Sequence, residues 1–347
     1  MATRVMKAAV LHGPEDVRLE DIPVPEIGPG EVLVRIRAAL TCGTDAKVYR
    51  RGGHPTMIRP PAPFGHEFAG DVAAVGSAVR GFTGGDRVVA ANSAPCNLCR
   101  YCRMGRPSLC TDILYINGAY AEYIAIPERI VRQNLLHISP SLSYSHAALV
   151  EPLACVLHGV EESHVHIGDV VVVNGAGPIG LLFVKLAKLA GASVIAVDKV
   201  AGRLEFARQL GADHVVDASR TSEVVAAVRQ LTPGGEGADV AVDATGSEQV
   251  WEAAVRMVRR GGLVNLFGGC KPGTSFSVET SLLHYSEITI KGVYHHTPHH
   301  VRRALDLLAT RQVPAELFIS RELPLADLPL ALNAIMCGDD IKIAVIP

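Results

Sequence analysis

Hydrophobic and polar positions follow two different patterns along the chain. Up to about residue 145, short apolar or alternating runs such as "EVLVRIRAAL" and "AEYIAIP" are separated by Gly, Pro and Asp. This pattern is typical of β-strands joined by turns. From about residue 148, strand patterns such as "DVVVVNG" and "SVIAVD" alternate with helical patterns such as "GLLFVKLAKLAGA". Continuous apolar strands that alternate with helices predict a parallel sheet covered on both faces.

The alternation falters near residue 290, at "EITIKGVYHHTPHH". A helix over 300–311 and a short closing strand, "KIAVIP", are predicted beyond it. The pattern therefore predicts an α/β chain in which a β-rich domain is either interrupted or followed by a dinucleotide-type domain.

Composition narrows the class of protein. The 347 residues are 48% hydrophobic and carry a formal net charge of -2, which suits a globular chain of two domains. The charge is nearly balanced, so it does not predict a nucleic acid or an acidic membrane as a partner. The apolar region 170–197 is interrupted by Gly and Lys, and no signal peptide is visible. We therefore expect no membrane span and a cytoplasmic location.

A glycine-rich turn follows the first predicted strand of the second region. Gly175, Gly177 and Gly180 have the spacing G-x-G-x-x-G between that strand and a helix, and the next strand ends at Asp198. In this context the glycines allow a tight turn and close approach of a pyrophosphate, while the carboxylate accepts hydrogen bonds from a ribose. The carboxylate favours NAD over NADP, although Arg203 nearby weakens that preference. The alternative is a glycine-rich turn in another kind of α/β protein.

Four cysteines lie within fifteen residues of each other. Cys96, Cys99, Cys102 and Cys110 have the spacing C-x2-C-x2-C-x7-C, which suits a closed tetrahedral zinc site that stabilises a loop. A bacterial iron–sulfur motif would need three residues before the fourth Cys and a Pro after it, so that alternative fits less well. A disulfide pair is a further alternative.

A second group of potential ligands is scattered through the chain. Cys42 lies in "LTCGTD", His66 and Glu67 lie in "PFGHEFAG", and Glu151 heads the helix in "LVEPLACVLHG". A mixed Cys, His and carboxylate set leaves zinc an open position for a substrate. Taken singly, each residue also has a structural explanation: a buried Cys, a hydrogen-bonded His or a helix-capping Glu.

Together these motifs resemble the zinc-dependent medium-chain dehydrogenases, the family of alcohol, sorbitol and threonine dehydrogenases. "CGTD", "GHEFAG", the four-Cys lobe, "EPLACVLHG", "GAGPIG" and the Asp198 strand occur in the family order over essentially the whole chain. The resemblance implies a GroES-like β-rich catalytic domain over 1–148 and 294–347, with the structural zinc lobe at 92–112. It also implies a Rossmann NAD-binding domain, with a doubly wound parallel sheet, over 149–293.

The resemblance further implies two zinc ions per chain, NAD as the cofactor and a homo-oligomer, either a dimer or a tetramer. The catalytic zinc ligands would be Cys42, His66, Glu67 and Glu151. Since adjacent residues on a regular strand point to opposite faces, Glu67 would bind zinc in one state and lie behind it in another. The cofactor-binding residues would be Gly175, Gly177, Pro178, Ile179, Gly180, Asp198, Arg203, Leu266, Phe267 and Gly268.

The activity implied is hydride transfer between a secondary alcohol or a sorbitol-like polyol and NAD. Zinc polarises the substrate hydroxyl, and Thr44 takes its proton toward the cofactor ribose. Lys47 stands where relatives often have a His, which leaves its part in that relay open. Glu151 replaces a Cys of the familiar alcohol dehydrogenases, as in the sorbitol and threonine enzymes, which favours polyol or amino-alcohol substrates.

Two other activities and one further tract fit the same residues. L-threonine 3-dehydrogenase is the alternative activity. A non-catalytic redox sensor that binds zinc and a nucleotide is the alternative of another class, and it would have been favoured by loss of Cys42 or His66. The His-rich tract 294–300 is interpreted as an exposed or interface loop, with a substrate-facing loop as the alternative.

Overall fold

The computed structural model describes residues 4–54, 57–338 and 340–347. These residues form two compact units: unit 1 runs up to Ala154 and resumes over His296–Pro347, and unit 2 is Cys155–His295. In the described part of the chain, no helix is both long enough and apolar enough to cross a membrane.

β-Strands and helices are interspersed along the described part of the chain. The strands in chain order are β1 (Val5–Gly13), β2 (Asp16–Pro23), β3 (Val32–Leu40), β4 (Ala62–Pro63), β5 (Glu67–Val75), β6 (Arg87–Ala90), β7 (Ser93–Ala94), β8 (Leu114–Tyr115), β9 (Tyr123–Ile126), β10 (Leu135–His137), β11 (Val170–Asn174), β12 (Ser193–Asp198), β13 (His214–Asp217), β14 (Ala238–Asp243), β15 (Val258–Leu266), β16 (Thr289–Gly292), β17 (Ile319–Pro324) and β18 (Lys342–Ile346). The helices are α1 (Gly43–Arg51), α2 (Arg100–Arg103), α3 (Glu128–Asn134), α4 (Tyr144–Ala147), α5 (Val150–Glu162), α6 (Pro178–Leu189), α7 (Ala201–Gln209), α8 (Val224–Gln230), α9 (Glu248–Met257), α10 (Thr280–Tyr285), α11 (Pro298–Ala309) and α12 (Leu328–Cys337). Single 3-10 turns span Pro107–Leu109, Pro233–Gly235, Ala315–Leu317 and Leu325–Asp327.

Unit 1 is built on a seven-stranded sheet in the order β10-β6-β5-β3-β18-β17, with β9 also paired to β3. A three-stranded sheet, β2-β1-β4, and the pair β7-β8 complete its β-structure among the described residues. Strands β5 and β18 both run antiparallel to β3, with Glu67 of β5 and Ala344 of β18 opposite Leu40. The end of β3 therefore meets the start of β5 and the start of β18 at one edge of the sheet.

The core of unit 1 lies between this sheet and the helices that cover it. Large apolar side chains such as Phe64, Phe68 and Tyr120 are fully buried there, and burial of each contributes about 1.5–3 kcal/mol before entropy costs. The rings of Phe64 and Tyr120 meet edge to face, with centroids 5.1 Å apart. This packing fixes the segment that precedes β5.

Unit 2 contains a six-stranded parallel sheet in the order β13-β12-β11-β14-β15-β16. Val171, Val172 and Val173 of β11 are all buried, as expected for a central strand that helices cover on both faces. The strand order reverses between β11 and β14, and such a switch point opens a crevice at the carboxyl ends of the strands. The predicted α/β class and the doubly wound parallel sheet are confirmed.

Candidate metal centres and dinucleotide crevice

The four lobe cysteines of unit 1 come together at one point. Their sulfurs all lie within 4.8 Å of one another, with 3.4 Å between Cys96 and Cys110 and 3.5 Å between Cys99 and Cys102. Disulfide sulfurs would be about 2.05 Å apart, so the disulfide alternative is wrong. Four sulfurs about 2.3 Å from a zinc ion would be roughly 3.8 Å apart in a tetrahedron. The donor set therefore fits zinc.

Backbone N–H groups point at the lobe sulfurs. The N–H groups of Leu98 and Cys99 donate to Cys96 Sγ at 3.4 and 3.3 Å and lower the pKa of Cys96. The N–H groups of Cys102 and Thr111 lower the pKa of Cys99 to about 6. Desolvation raises the pKa of Cys102 to about 12. The loop backbone thus favours thiolate, the metal-binding form, at Cys96 and Cys99.

Strand pairing brings Cys42 and His66 together although 23 residues separate them in sequence. Because Leu40 at the end of β3 pairs with Glu67 at the start of β5, the residues that follow Leu40 lie beside those that precede Glu67. Ligand atoms of Cys42, His66 and Glu67 all lie within 4.8 Å of one another. Cys42 is also the N-cap of α1, where its sulfur accepts from Thr44 N at 3.4 Å.

The His66 ring is oriented by a buried carboxylate. His66 Nδ1 lies 3.0 Å from Asp45 Oδ1, which leaves Nε2 as the nitrogen that can bind a metal. Tyr120 OH donates to Asp45 Oδ2 at 2.8 Å and fixes the other carboxylate oxygen. Burial lowers the pKa of His66, but Asp45 and Cys42 raise it well above its usual value overall.

Glu67 forms a buried ion pair with Lys342 at the start of β18. Lys342 Nζ lies 2.7 and 2.6 Å from the two Glu67 oxygens and donates to Thr41 O at 2.9 Å. Burial lowers the pKa of Lys342, but the Glu67 carboxylate raises it overall. His66 precedes β5, after Gly65 with φ +92°. The alternation expected of a regular strand therefore does not separate His66 from Glu67.

Glu151 lies in the first turn of α5 and is buried. It is outside the Cys42–His66–Glu67 cluster of ligand atoms, and its Oε1 lies 3.9 Å from His296 Nε2. His296 Nε2 also lies 3.3 Å from Ser93 Oγ. A ligand role for Glu151 stays a prediction.

The interpretation of the His-rich tract as an exposed loop is wrong at two positions. His296 and His300 are only 3% and 5% exposed. His300 lies in the first turn of α11, where its Nδ1 is 2.7 Å from Thr297 Oγ1. Thr297 is the N-cap of that helix, so the start of α11 carries these side chains into unit 1.

Thr44 and Lys47 lie on the exposed side of α1. Thr44 is in the first turn, beside Cys42, and Lys47 is three residues further on. Residues three apart share a face of a helix, so Lys47 lies on the same face as Thr44, about one turn further from Cys42. Their roles in proton transfer stay predictions.

The glycine-rich turn joins β11 to α6 in unit 2. Gly175 has φ +91°, a conformation that favours glycine. A Cβ on Gly180 would lie 1.7 Å from Gly175 O, whereas a Cβ on Gly177 would meet nothing within 4 Å. Gly180 thus allows the turn to close on the helix, and Gly177 leaves open space at the N-terminus of α6. Pro178 and Ile179 form the first residues of that helix.

Asp198 ends β12 with its carboxylate against this turn. Its Oδ2 accepts from Ala176 N at 2.6 Å and its Oδ1 from Val200 N at 2.9 Å. Arg203 lies in α7, and its buried Nε has no hydrogen-bond partner among the described residues. The acceptor and the unsatisfied donor both fit a ribose-bearing ligand.

Leu266, Phe267 and Gly268 lie at the carboxyl end of β15, on the same edge of the sheet as Gly175. Leu266 ends the strand and is buried. The Phe267 ring meets Phe183 of α6 edge to face, with centroids 5.0 Å apart. The predicted cofactor residues thus share the carboxyl edge of the sheet with the start of α6. Their contacts with a dinucleotide stay predictions.

No pattern in the sequence predicts Lys342 or Tyr120 as part of the site. Lys342 is 275 residues from Glu67, and no local pattern marks a closing-strand lysine as buried. Tyr120 is 75 residues from Asp45. Asp45 could be predicted as a site residue, because it belongs to the "CGTD" motif that also contains Cys42.

Two family profiles match most of the chain. The profile described as "Alcohol dehydrogenase GroES-like domain" matches residues 28–135, and that described as "Zinc-binding dehydrogenase" matches residues 178–310. They fall respectively in unit 1 and, for the most part, in unit 2.

Individual proteins are similar over most of their length. Sorbitol dehydrogenase of Bacillus subtilis (strain 168) is 34% identical over 83% of this chain and 82% of its own. L-threonine 3-dehydrogenase of Rhizobium johnstonii is 34% identical over 84% of each chain. A Sinorhizobium meliloti 1021 protein, described as a zinc-binding dehydrogenase and bound to NADP, is 33% identical with a TM-score of 0.91. That similarity covers 99% of this chain and 100% of the other.

Proposed function

Since the chain belongs to the zinc-dependent medium-chain alcohol and polyol dehydrogenase family, we propose that it transfers a hydride between a secondary alcohol or sorbitol-like polyol and NAD. The cluster of Cys42, His66 and Glu67 carries this proposal, because a redox sensor that only bound zinc and a nucleotide would not need an open metal site. The domain over 1–148 and 294–347, which corresponds to unit 1, would hold the substrate. The domain over 149–293, which corresponds to unit 2, would hold the cofactor.

Zinc, when bound, supplies a Lewis acid that lowers the pKa of the substrate hydroxyl, and NAD accepts the hydride. Cys42 and His66 would hold the metal: the backbone N–H of Thr44 donates to Cys42 Sγ, and Asp45 holds the His66 ring with Nε2 available. Thr44, exposed beside Cys42, would accept the hydroxyl proton. Glu67, paired with Lys342, would place negative charge behind the metal.

The substrate class is proposed from the relatives and from Glu151. A sorbitol dehydrogenase and an L-threonine 3-dehydrogenase are equally identical to the chain at 34%, so L-threonine stays the second candidate. A screen of sorbitol, xylitol, simple secondary alcohols and L-threonine, followed by the absorbance of reduced cofactor, tests the proposal. We expect the highest kcat/KM with a polyol; turnover of L-threonine alone would favour the alternative, and no turnover of any of them would contradict the proposed activity.

NAD is the proposed cofactor in preference to NADP. Asp198 beside the glycine turn would repel a 2′-phosphate, whereas Arg203 and the NADP in the Sinorhizobium meliloti structure point the other way. Steady-state kinetics with both cofactors decide between them. A lower KM for NADP than for NAD would contradict the proposed role of Asp198.

Two zinc ions per chain are proposed, one in the lobe and one at Cys42 and His66. Elemental analysis should give two zinc per wild-type chain and one each for Cys42→Ser and Cys99→Ser. Cys42→Ser should lose turnover with little change in Tm, whereas Cys99→Ser should lower Tm, because a structural site contributes folding free energy directly. Iron with sulfide, or no more than one zinc in wild type, would contradict this assignment.

A cytoplasmic homo-oligomer, dimer or tetramer, is the proposed form, with no nucleic-acid or membrane partner. The near-neutral charge of -2 supports the absence of an electrostatic partner. Light scattering coupled to size exclusion gives the mass directly. A monomer at micromolar concentration would contradict the oligomer.

A further inference from the structure

Asp243 is a fully buried carboxylate at the end of β14 in unit 2. Its Oδ1 accepts from Thr245 N and Oγ1 at 3.1 and 2.6 Å. Its Oδ2 accepts from Gly246 N and from Trp251 Nε1, both at 2.9 Å. Burying a carboxylate is costly unless its oxygens are satisfied, and here four donors from the following turn and from α9 converge on it.

The backbone of Asp243 holds a second segment. Its carbonyl oxygen accepts from Phe267 N at 3.2 Å and from Gly268 N at 2.8 Å. A Cβ on Gly268 would lie 2.4 Å from Gly246 N and 2.7 Å from Asp243 Oδ2. The segments after β14 and β15 therefore pack backbone to backbone across this one residue.

The turn held by Asp243 also contacts the glycine-rich turn. Ala244 N donates to Asn174 O at 2.9 Å. Thr245 Cγ2 lies 2.7 Å from the place where a Cβ on Gly175 would be. Because β11, β14 and β15 are neighbours in the sheet, Asp243 ties together the chain segments at three adjacent strand ends.

We propose that Asp243 is a positioning residue for the dinucleotide: it holds the Thr245–Gly246 and Phe267–Gly268 segments at the spacing from Gly175 that admits the cofactor. This inference rests on the proposed binding of NAD by unit 2. Asp243 acts through these segments, and small errors in the placement of such groups weaken binding strongly.

Asp243→Asn tests the inference. The substitution turns one oxygen into an NH2 group, so two of the four donors lose their acceptor. Isothermal titration with NADH, and in parallel with NADPH, should show a Kd raised about tenfold or more, as expected when charge-assisted hydrogen bonds are lost. In steady-state assays the KM for NAD should rise similarly, while kcat at saturating NAD stays within about threefold.

Asp239→Asn is the matched control. Asp239 lies near the other end of β14, where it accepts from Val170 N at 2.7 Å and from Arg259 Nε at 2.6 Å. This variant also takes the acceptor from one of two donors, but at the opposite end of the strand from the crevice, and its Kd for NADH should stay within about twofold of wild type. Positioning is thereby separated from general stability.

Circular dichroism shows whether Asp243→Asn folds. If it does not, two milder variants test the inference in its place. Thr245→Val and Trp251→Phe each remove one donor, and the latter keeps a ring against Phe276. Each should raise the Kd about threefold or more, with an unchanged far-ultraviolet spectrum.

The outcomes separate this inference from the proposed function. If wild type binds NADH or NADPH and the variants at Asp243, Thr245 and Trp251 bind it equally well, the inference is overturned and the proposed function stands. An equal loss of affinity in Asp239→Asn would also overturn it. A wild-type chain that binds neither dinucleotide would refute the proposed cofactor and, with it, the inference.

Discussion

Lys342→Met should be among the most destabilising substitutions in unit 1. The side chains of Lys342 and Glu67 are 2% and 0% exposed, and Lys342 Nζ makes three hydrogen bonds, two to Glu67 and one to Thr41 O. Methionine fills a similar volume but leaves the Glu67 carboxylate buried without its cation. Removing one partner of a buried ion pair typically costs about 3–5 kcal/mol. At about 2–4 °C per kcal/mol for a unit of this size, Tm should fall by roughly 10 °C.

A double-mutant cycle distinguishes a lost ion pair from simple loss of packing. Glu67→Met alone should also destabilise, because it leaves the Lys342 cation buried. The double variant, Lys342→Met with Glu67→Met, should recover to within about 2 kcal/mol of wild type, since two apolar side chains of similar volume can replace a buried pair. Thermal and urea unfolding should be followed by circular dichroism, with and without added zinc, because Glu67 is also a predicted ligand.

Lys7→Met is the control for loss of a lysine charge. Lys7 pairs with Asp21 at 2.9 Å, but the two side chains are 51% and 57% exposed, so its loss should cost less than about 1 kcal/mol. A Tm change below about 2 °C for Lys342→Met, or single effects that simply add in the double variant, would refute the reasoning.

Three more predictions concern the proton path, the cofactor and pH. Thr44→Ala should lower the rate of alcohol oxidation about a hundredfold, the usual contribution of a proton-transfer group, with zinc content and NADH affinity unchanged, whereas Thr44→Ser should retain most activity. Asp198→Gly should raise the KM for NAD and lower that for NADP, because it removes the ribose acceptor and the repulsion of a 2′-phosphate. Burial raises the pKa of Asp213, but Lys188 helps lower it below the ordinary 3.8 overall, so the charged form adds stability above that pH. Since the Asp213 side chain is 38% exposed, Asp213→Asn should lower the free energy of unfolding at pH 7 by less than about 1 kcal/mol, with a correspondingly small fall in Tm. The difference should shrink progressively as the pH falls below 3.8, toward the lowered pKa of the folded state.

Each of these has a clear contrary result. Wild-type turnover in Thr44→Ala, measured where hydride transfer limits the rate, would remove Thr44 from the proton path. An unchanged ratio of NAD to NADP efficiency in Asp198→Gly would show that other residues set the preference. A Tm difference for Asp213→Asn that does not shrink as the pH falls below 3.8 would mean that the carboxylate charge is not the cause.

The sequence by itself determined what depends on neighbours along the chain. The lobe cysteines lie within fifteen residues, so their spacing alone predicted a cluster. The turn at Gly175 likewise lies between a strand and a helix that are both visible as local patterns. The change from short interrupted strands to alternating strands and helices predicted the α/β class, because side-chain periodicity reports secondary structure directly.

Only the tertiary structure decided which distant groups meet and which side chains lose contact with water. Antiparallel pairing of β3 with β5 and β18 sets Glu67 beside Lys342, across 275 residues. Packing also buries His296 and His300, in a tract whose composition suggested an exposed loop. The parallel order of β11, β14 and β15 likewise makes Asp243 a meeting point of three segments. Such contacts depend on how whole strands register and pack, and burial is a property of that packing, so no local pattern of residues encodes them.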